Sequence, residues 1–246
     1  MPEAAHAITP TAGTAPLLAV RGLQGWYGES HVLHGIDLDV APGEVVTLLG
    51  RNGAGKTTTL RAIIGILGRR SGSITYAGAE TIRMASRAIA RLGIGYVPEE
   101  RGIFASLSVH ENLMLPPRVK PGGMSVAEIH ALFPNLKERA RSQGTKLSGG
   151  EQQMLAIGRI LRTGAKLILL DEPTEGLAPV IVQQIGRTIL KLKSQGYTIV
   201  LVEQNFRFAQ TLADRHYVVE QGRVVDMIEN SRLDANIDKL HAYLGV

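Results

Sequence analysis

Residues Gly50, Arg51, Asn52, Gly53, Ala54, Gly55, Lys56 and Thr57 match the pattern G-x-x-x-x-G-K-[ST] in full. The pattern does chemistry only between a strand and a helix. Both flanks read that way: Glu44 to Leu49 is a short buried-strand run, and Leu60, Ile63, Ile64 and Leu67 recur at helical spacing beyond Thr58. Glycines let successive backbone N–H groups converge on phosphate oxygens. The helix N-terminus adds partial positive charge. Lys56 can bridge β- and γ-phosphates, and the Thr57 hydroxyl can ligate Mg²⁺. Thr58 joins these eight residues as a candidate nucleotide contact.

A second buried-strand run, Leu167 to Leu170, is closed by Asp171 and Glu172. An Asp at such a strand end can hold Mg²⁺, and a carboxylate one residue on can polarise a water for in-line attack on a γ-phosphate. An acidic pair before Pro173 can equally begin a turn. A third run, Tyr197 to Val202, points Glu203 and Gln204 beyond its C-terminal end, where α/β folds place their ligands. Gln204 can donate an N–H to a phosphate oxygen but cannot carry a proton or a charge.

Leu147-Ser-Gly-Gly-Glu-Gln-Gln153 precedes an amphipathic run, Met154 to Leu161. Ser148 and Glu151 have the spacing of a capping box, so the segment can be simply a well-capped helix. A helix N-terminus behind Ser148, Gly149 and Gly150 also offers N–H groups and a hydroxyl to an anion. Two such helix ends in one chain need not serve one nucleotide; each can complete a site on a partner molecule.

The ordered set of phosphate loop, LSGGEQQ and LILLDE, covering the chain from about Leu18 onward, resembles the ATP-binding subunit of ABC transporters. The LSGG run lies about ninety residues after Lys56 and about twenty before Asp171. The resemblance implies ATP and Mg²⁺ as ligands, and head-to-tail dimers in which Ser148, Gly149 and Gly150 act on the partner's ATP. It also matches Tyr27 to an aromatic that stacks on adenine, although an ordinary aromatic of a β subdomain would look the same. Two positions depart from the family. Glu99 stands where a glutamine that touches Mg²⁺ is usual, and Gln204 stands where a histidine is usual. Glu99 can still ligate a hard cation through oxygen.

The segments YVPEERGIFASLSVHENL, LDEPTEGLAP and LVEQN look like the smaller ATPase of branched-chain amino-acid importers, the LivF type, a group that includes urea and short-amide importers. This implies a second ATPase of the LivG type (a homodimer is the alternative), two membrane permeases and, indirectly, a periplasmic binding protein. It places the chain at the cytoplasmic face of the inner membrane. A soluble ABC protein acting on ribosomes or DNA usually carries two cassettes or long coiled coils, and neither is present. A P-loop kinase would lack the LSGGEQQ run.

The elements that must position these residues follow from pattern. The expected fold is α/β: a P-loop NTPase of the ABC ATPase kind, with a mixed β core, an N-terminal antiparallel β subdomain and an inserted helical lobe at about 100–164. Residues 1–17 are expected to form a flexible tail before a single domain over 18–246. Ile36, Leu38 and Val40 alternate with Asp37 and Asp39 as in a half-buried strand. Pro179 is expected near the start of a helix, and Gln221-Gly222 at the turn of a late hairpin. Composition excludes other classes. Among the 246 residues there is no cysteine, and so no disulfide or thiolate metal site. No apolar run approaches the ~18–20 residues of a membrane span. The net charge of +5 is mild, so no nucleic-acid partner is expected. No second phosphate loop is visible, so a complete ATPase dimer needs a second chain.

Overall fold

Two sheets arise from two kinds of apolar pattern. The computed structural model describes residues 15–245, so most of the expected 1–17 tail lies outside the described residues. Leu17 is already fixed: its N–H donates to the Val40 carbonyl and its carbonyl accepts from Ala77 N, both at 2.8 Å. The first sheet takes β1 (Leu18–Tyr27), β2 (Ser30–Val40), β4 (Arg69–Tyr76) and β5 (Ala79–Glu80) in the order β2-β1-β4-β5, with every pairing antiparallel. Ile36, Leu38 and Val40 are buried and Asp37 is exposed, as alternation predicts. Asp39 corrects that pattern, because it is buried. Its carboxylate accepts from Arg21 at 2.6 and 2.7 Å, and the Tyr217 hydroxyl bridges its backbone N and O. The second sheet covers this end of β2, so both its faces are enclosed.

The second sheet has the order β10-β9-β3-β8-β7-β6. Its strands are β3 (Val45–Leu49), β6 (Ile94–Val97), β7 (Leu167–Asp171), β8 (Thr198–Val202), β9 (Arg215–Glu220) and β10 (Arg223–Glu229). All are parallel except β10. β3, β7 and β8 are buried at every residue, as expected for parallel strands covered on both faces. This order aligns the C-terminal ends of β3, β8, β7 and β6, from which the phosphate loop, Gln204, the acidic pair and Glu99 emerge. β9 and β10 form the expected hairpin, with Gln221 and Gly222 at φ 46° and 73°, the positive pair that a tight two-residue turn requires.

Helix α1 (Lys56–Ile63) follows the phosphate loop and α2 (Ser86–Leu92) precedes β6. Between β6 and β7 lie α3 (Val109–Met114), α4 (Val126–Leu132), α5 (Pro134–Glu138) and α6 (Gly149–Arg162). Met154, Leu155, Ile157 and Leu161 of α6 pack with Leu113 of α3, Ile129 of α4 and Leu136 of α5 in one apolar cluster, which also holds Ile168 and Leu170 of β7. Each such buried side chain contributes about 1.5–3 kcal/mol. The same device starts three of these four helices. Ser108, Ser125 and Ser148 each accept from the backbone N of a glutamate three residues on, and that glutamate accepts from the serine N. Helix α7 (Pro179–Ser194) has Pro179 in its first turn. It is followed by α8 (Phe206–Ala209) and α9 (Ile237–Leu244).

Candidate functional site: a nucleotide site at four strand ends

The turn from β3 into α1 depends on two glycines. Gly50 has φ 151°, and a Cβ there would meet the Val219 carbonyl oxygen at 2.2 Å. Gly55, the residue before α1, has φ 107°. No side chain caps α1 and its first turn holds no acid, so its first N–H groups remain available to an anion. Lys56 is 4% exposed, and its Nζ donates to the Gly50 and Arg51 carbonyls at 2.7 and 3.2 Å. Burial lowers the Lys56 pKa, while the Glu172 and Asp171 carboxylates oppose that shift.

At the end of β7, Asp171 is fully buried. Its Oδ1 accepts from the Thr57 hydroxyl at 2.9 Å and its Oδ2 from the Tyr96 hydroxyl at 2.8 Å. Burial raises its pKa, and the Tyr96 and Thr57 hydrogen bonds counter this. Glu172 stands in the left-handed region at φ 44°, a conformation that costs a non-glycine residue on the order of 1–3 kcal/mol and concentrates at functional sites. Its N–H donates to the Val202 carbonyl at 3.0 Å. One carboxylate oxygen faces Lys56 Nζ at 3.8 Å and the other accepts from Gln204 Nε2 at 2.6 Å. Strand order therefore brings the third lead of the sequence, Gln204, onto the second.

A cavity of about 400 Å³ gathers Asn52, Gly53, Ala54, Gly55, Lys56, Thr57 and Thr58 with Glu99, Glu172 and Gln204. Gly50 and Arg51 line an adjoining groove of about 710 Å³ that also touches Gln204. Tyr27 lies at the end of β1, 44% exposed. Its neighbour Trp26 is engaged within the chain, stacked on His31 with the Arg69 guanidinium over its ring. Ser148, Gly149 and Gly150 are outside the lining of both cavities. They start α6 as a complete capping box: Glu151 N donates to Ser148 Oγ at 3.3 Å, and Ser148 N to Glu151 Oε2 at 2.8 Å.

The residues fit a hard divalent cation. Thr57 and Asp171 present oxygen donors side by side. Burial and then the charges of Glu172, Asp171, Glu100 and Glu175 raise the Glu99 pKa, a crowding of carboxylates that a cation relieves. Among the described residues no three His, Cys, Asp or Glu side chains form a metal cage, so a cation here must share its coordination with phosphate oxygens and water, as Mg²⁺ does.

Three residues escaped sequence reading. Tyr96 reaches Asp171 because β6 pairs with β7 at Tyr96↔Leu169. Arg101, at φ 66°, donates to Gln152 Oε1 at 3.2 Å and lies close to Gly149. Glu203, noted only as a strand end, is buried and bonded to Thr174. Only the left-handed turn at Arg101-Gly102 left a trace in the sequence, in its glycine.

Residues 33–175 match the family model described as ABC transporter. The chain is 44% identical over 238 residues to the high-affinity branched-chain amino acid transport ATP-binding protein BraG of Pseudomonas aeruginosa, covering 93% of this chain and all of the relative. It is 35% identical to a probable branched-chain amino acid transport ATP-binding protein LivF of Archaeoglobus fulgidus, covering 82% and 87%. It is 36% identical to the lipopolysaccharide export ATP-binding protein LptB of Escherichia coli, covering 85% and 88%. Among solved structures, a nucleotide-free ATP-binding cassette of an ABC transporter aligns with TM-score 0.82 at 22% identity, over 94% of this chain and 99% of that one. An ATP-binding subunit of an ABC transporter aligns with TM-score 0.78 at 28% identity, over 94% and 100%. With its phosphate loop, acidic pair and LSGG helix in their places, the chain belongs to the ABC transporter family as an ATP-binding, ATP-hydrolysing subunit.

Proposed function

We propose that this subunit energises import of branched-chain amino acids through a nucleotide sandwich formed with a second ATPase chain. The observation that carries the catalytic part is the convergence of Lys56 and Gln204 on the Glu172 carboxylate beside the phosphate loop. Adenine stacks on Tyr27. The N–H groups of residues 50–58 and the Lys56 ammonium hold the phosphates. Mg²⁺ would be held by Thr57, Asp171 and Glu99, and when bound it neutralises phosphate charge. Glu172 accepts a proton from the attacking water. Gln204 orients that carboxylate and offers its N–H to a γ-phosphate oxygen, without titrating. Ser148, Gly149 and Gly150 complete the ATP site of the partner chain, of LivG type or a second copy.

The substrate assignment follows the names of the Pseudomonas and Archaeoglobus relatives. Two permeases carry the cargo, a periplasmic binding protein delivers it, and this chain sits peripherally on the cytoplasmic side. No described helix is long and apolar enough to cross a membrane. The test is uptake into vesicles holding the subunit, the neighbouring ATPase, the permeases and the binding protein. ATP-dependent accumulation of leucine, isoleucine or valine is expected. Accumulation of urea or a short amide in their place would overturn the substrate assignment.

A further inference from the structure

Glu203 is a carboxyl with no role in the reaction as described, yet it is 2% exposed. Its Oε1 accepts from the Thr174 hydroxyl at 2.7 Å, and its Oε2 lies 3.4 Å from Asn205 N. Thr174 is two residues past Glu172, and Gln204 is the residue after Glu203. Since Gln204 Nε2 bonds Glu172 Oε2 at 2.6 Å, the two segments close a ring: Glu172, Pro173, Thr174, across to Glu203, along to Gln204, and back to Glu172. The N–H of Glu172 is itself bonded to the Val202 carbonyl at 3.0 Å, so three hydrogen bonds join the ends of β7 and β8.

We propose that Glu203 is a positioning residue for ATP hydrolysis, bracing the acidic turn through Thr174 so that Gln204 and the strained Glu172 keep their mutual geometry. The reading rests on the assignment of Glu172 as base. The ring explains what holds Glu172 at φ 44°: a sparsely populated conformation persists only where its surroundings over-determine it. A carboxyl also suits the position. Burial raises it from 4.5 to about 7, with the Glu172 charge adding to the rise and the Lys56 ammonium facing the same space from α1. The Thr174 and Asn205 hydrogen bonds oppose that rise. The acceptor oxygen, rather than the charge, performs the bracing.

The test is steady-state ATP hydrolysis by the assembled transporter carrying Glu203→Ala, Glu203→Gln, Thr174→Val or Glu203→Ala with Thr174→Val. Melting temperatures establish that each is folded. Loss of positioning lowers kcat by about ten- to a hundredfold. Such a drop is expected for Glu203→Ala and for Thr174→Val, with the KM for ATP within about twofold, since ground-state binding is untouched. The double variant should be no worse than either single one, because both remove the same bond. Glu203→Gln keeps the acceptor and should restore most of the rate. Losses that multiply in the double variant, a rise in KM without a fall in kcat, or no rescue by glutamine would each overturn the brace. Glu172→Gln in the same assay separates the two readings. A parent rate there removes the base assignment, whereas a dead Glu172→Gln beside unaffected Thr174→Val and Glu203→Ala removes only the brace.

Discussion

The two glycine-bearing helix starts, at α1 and at α6, are opposites in electrostatics. The α1 start has no capping side chain and no acid in its first turn, and a buried lysine stands on it. The α6 start is closed by its own serine and carries Glu151 in that turn. An uncapped start with adjacent positive charge is open to a polyphosphate. A capped, acid-bearing start is complete as a helix and attracts anions far less. The capping box is also not special to α6, since α3 and α4 open on the same construction. What sets α6 apart is the pair of glycines after the cap. A Cβ on Gly150 would press Ile181 of α7 at 2.8 Å, and one on Gly149 would approach the Arg101 guanidinium at 3.2 Å. The LSGG helix is thus an ordinary capped helix whose two glycines admit Ile181 and Arg101 of the same chain against its first turn. The cavity beside α1 holds none of its residues.

The largest effect that would test this contrast is at α1. Lys56→Ala should lower ATP turnover by more than about a hundredfold, since it removes a preorganised charge from the phosphates. It should also weaken ATP binding to the isolated chain, measured by calorimetry. Ser148→Ala should leave that isolated-chain affinity unchanged; a matching loss would mean that α6 serves its own chain's nucleotide.

A smaller effect separates cap from signature. Ser108→Ala and Ser148→Ala each remove one cap and should each cost about 1 kcal/mol in denaturant unfolding. Only Ser148→Ala should also depress turnover of the assembled transporter. Equal turnover in the two variants would reduce the LSGG serine to a cap.

A further effect is in pH. The Glu203 carboxyl is raised from 4.5 to about 7, chiefly by burial. Keeping that group folded costs nothing below the unfolded value, costs progressively more as pH rises from 4.5 towards 7, and levels off above. Glu203→Gln should therefore gain stability on the parent as pH goes from 5 to 8, followed by thermal melts. A gap that stays constant would place the titration elsewhere.

The sequence carried the phosphate loop, the acidic pair, the Gln221-Gly222 turn and the period of β2 up to Leu38, because each is written in contiguous residues. Asp39 broke the period because a second sheet, remote in sequence, covers it and supplies Tyr217. Tyr96 on Asp171 and Glu203 on Thr174 were illegible for the same reason: each depends on which strand lies beside β7. The left-handed Glu172 had no signal at all, since glycine would mark such a backbone and the position holds a glutamate.

If this chain binds ATP with its own loop and hydrolyses it only when a second molecule closes the site, turnover must depend on assembly. The direct measurement is ATP turnover by the purified chain, alone and assembled with its neighbouring ATPase and permeases, beside Glu172→Gln. Turnover that appears on assembly and vanishes in Glu172→Gln is the expected result. Full turnover by the dilute chain alone, indifferent to permeases or unchanged in Glu172→Gln, would contradict it.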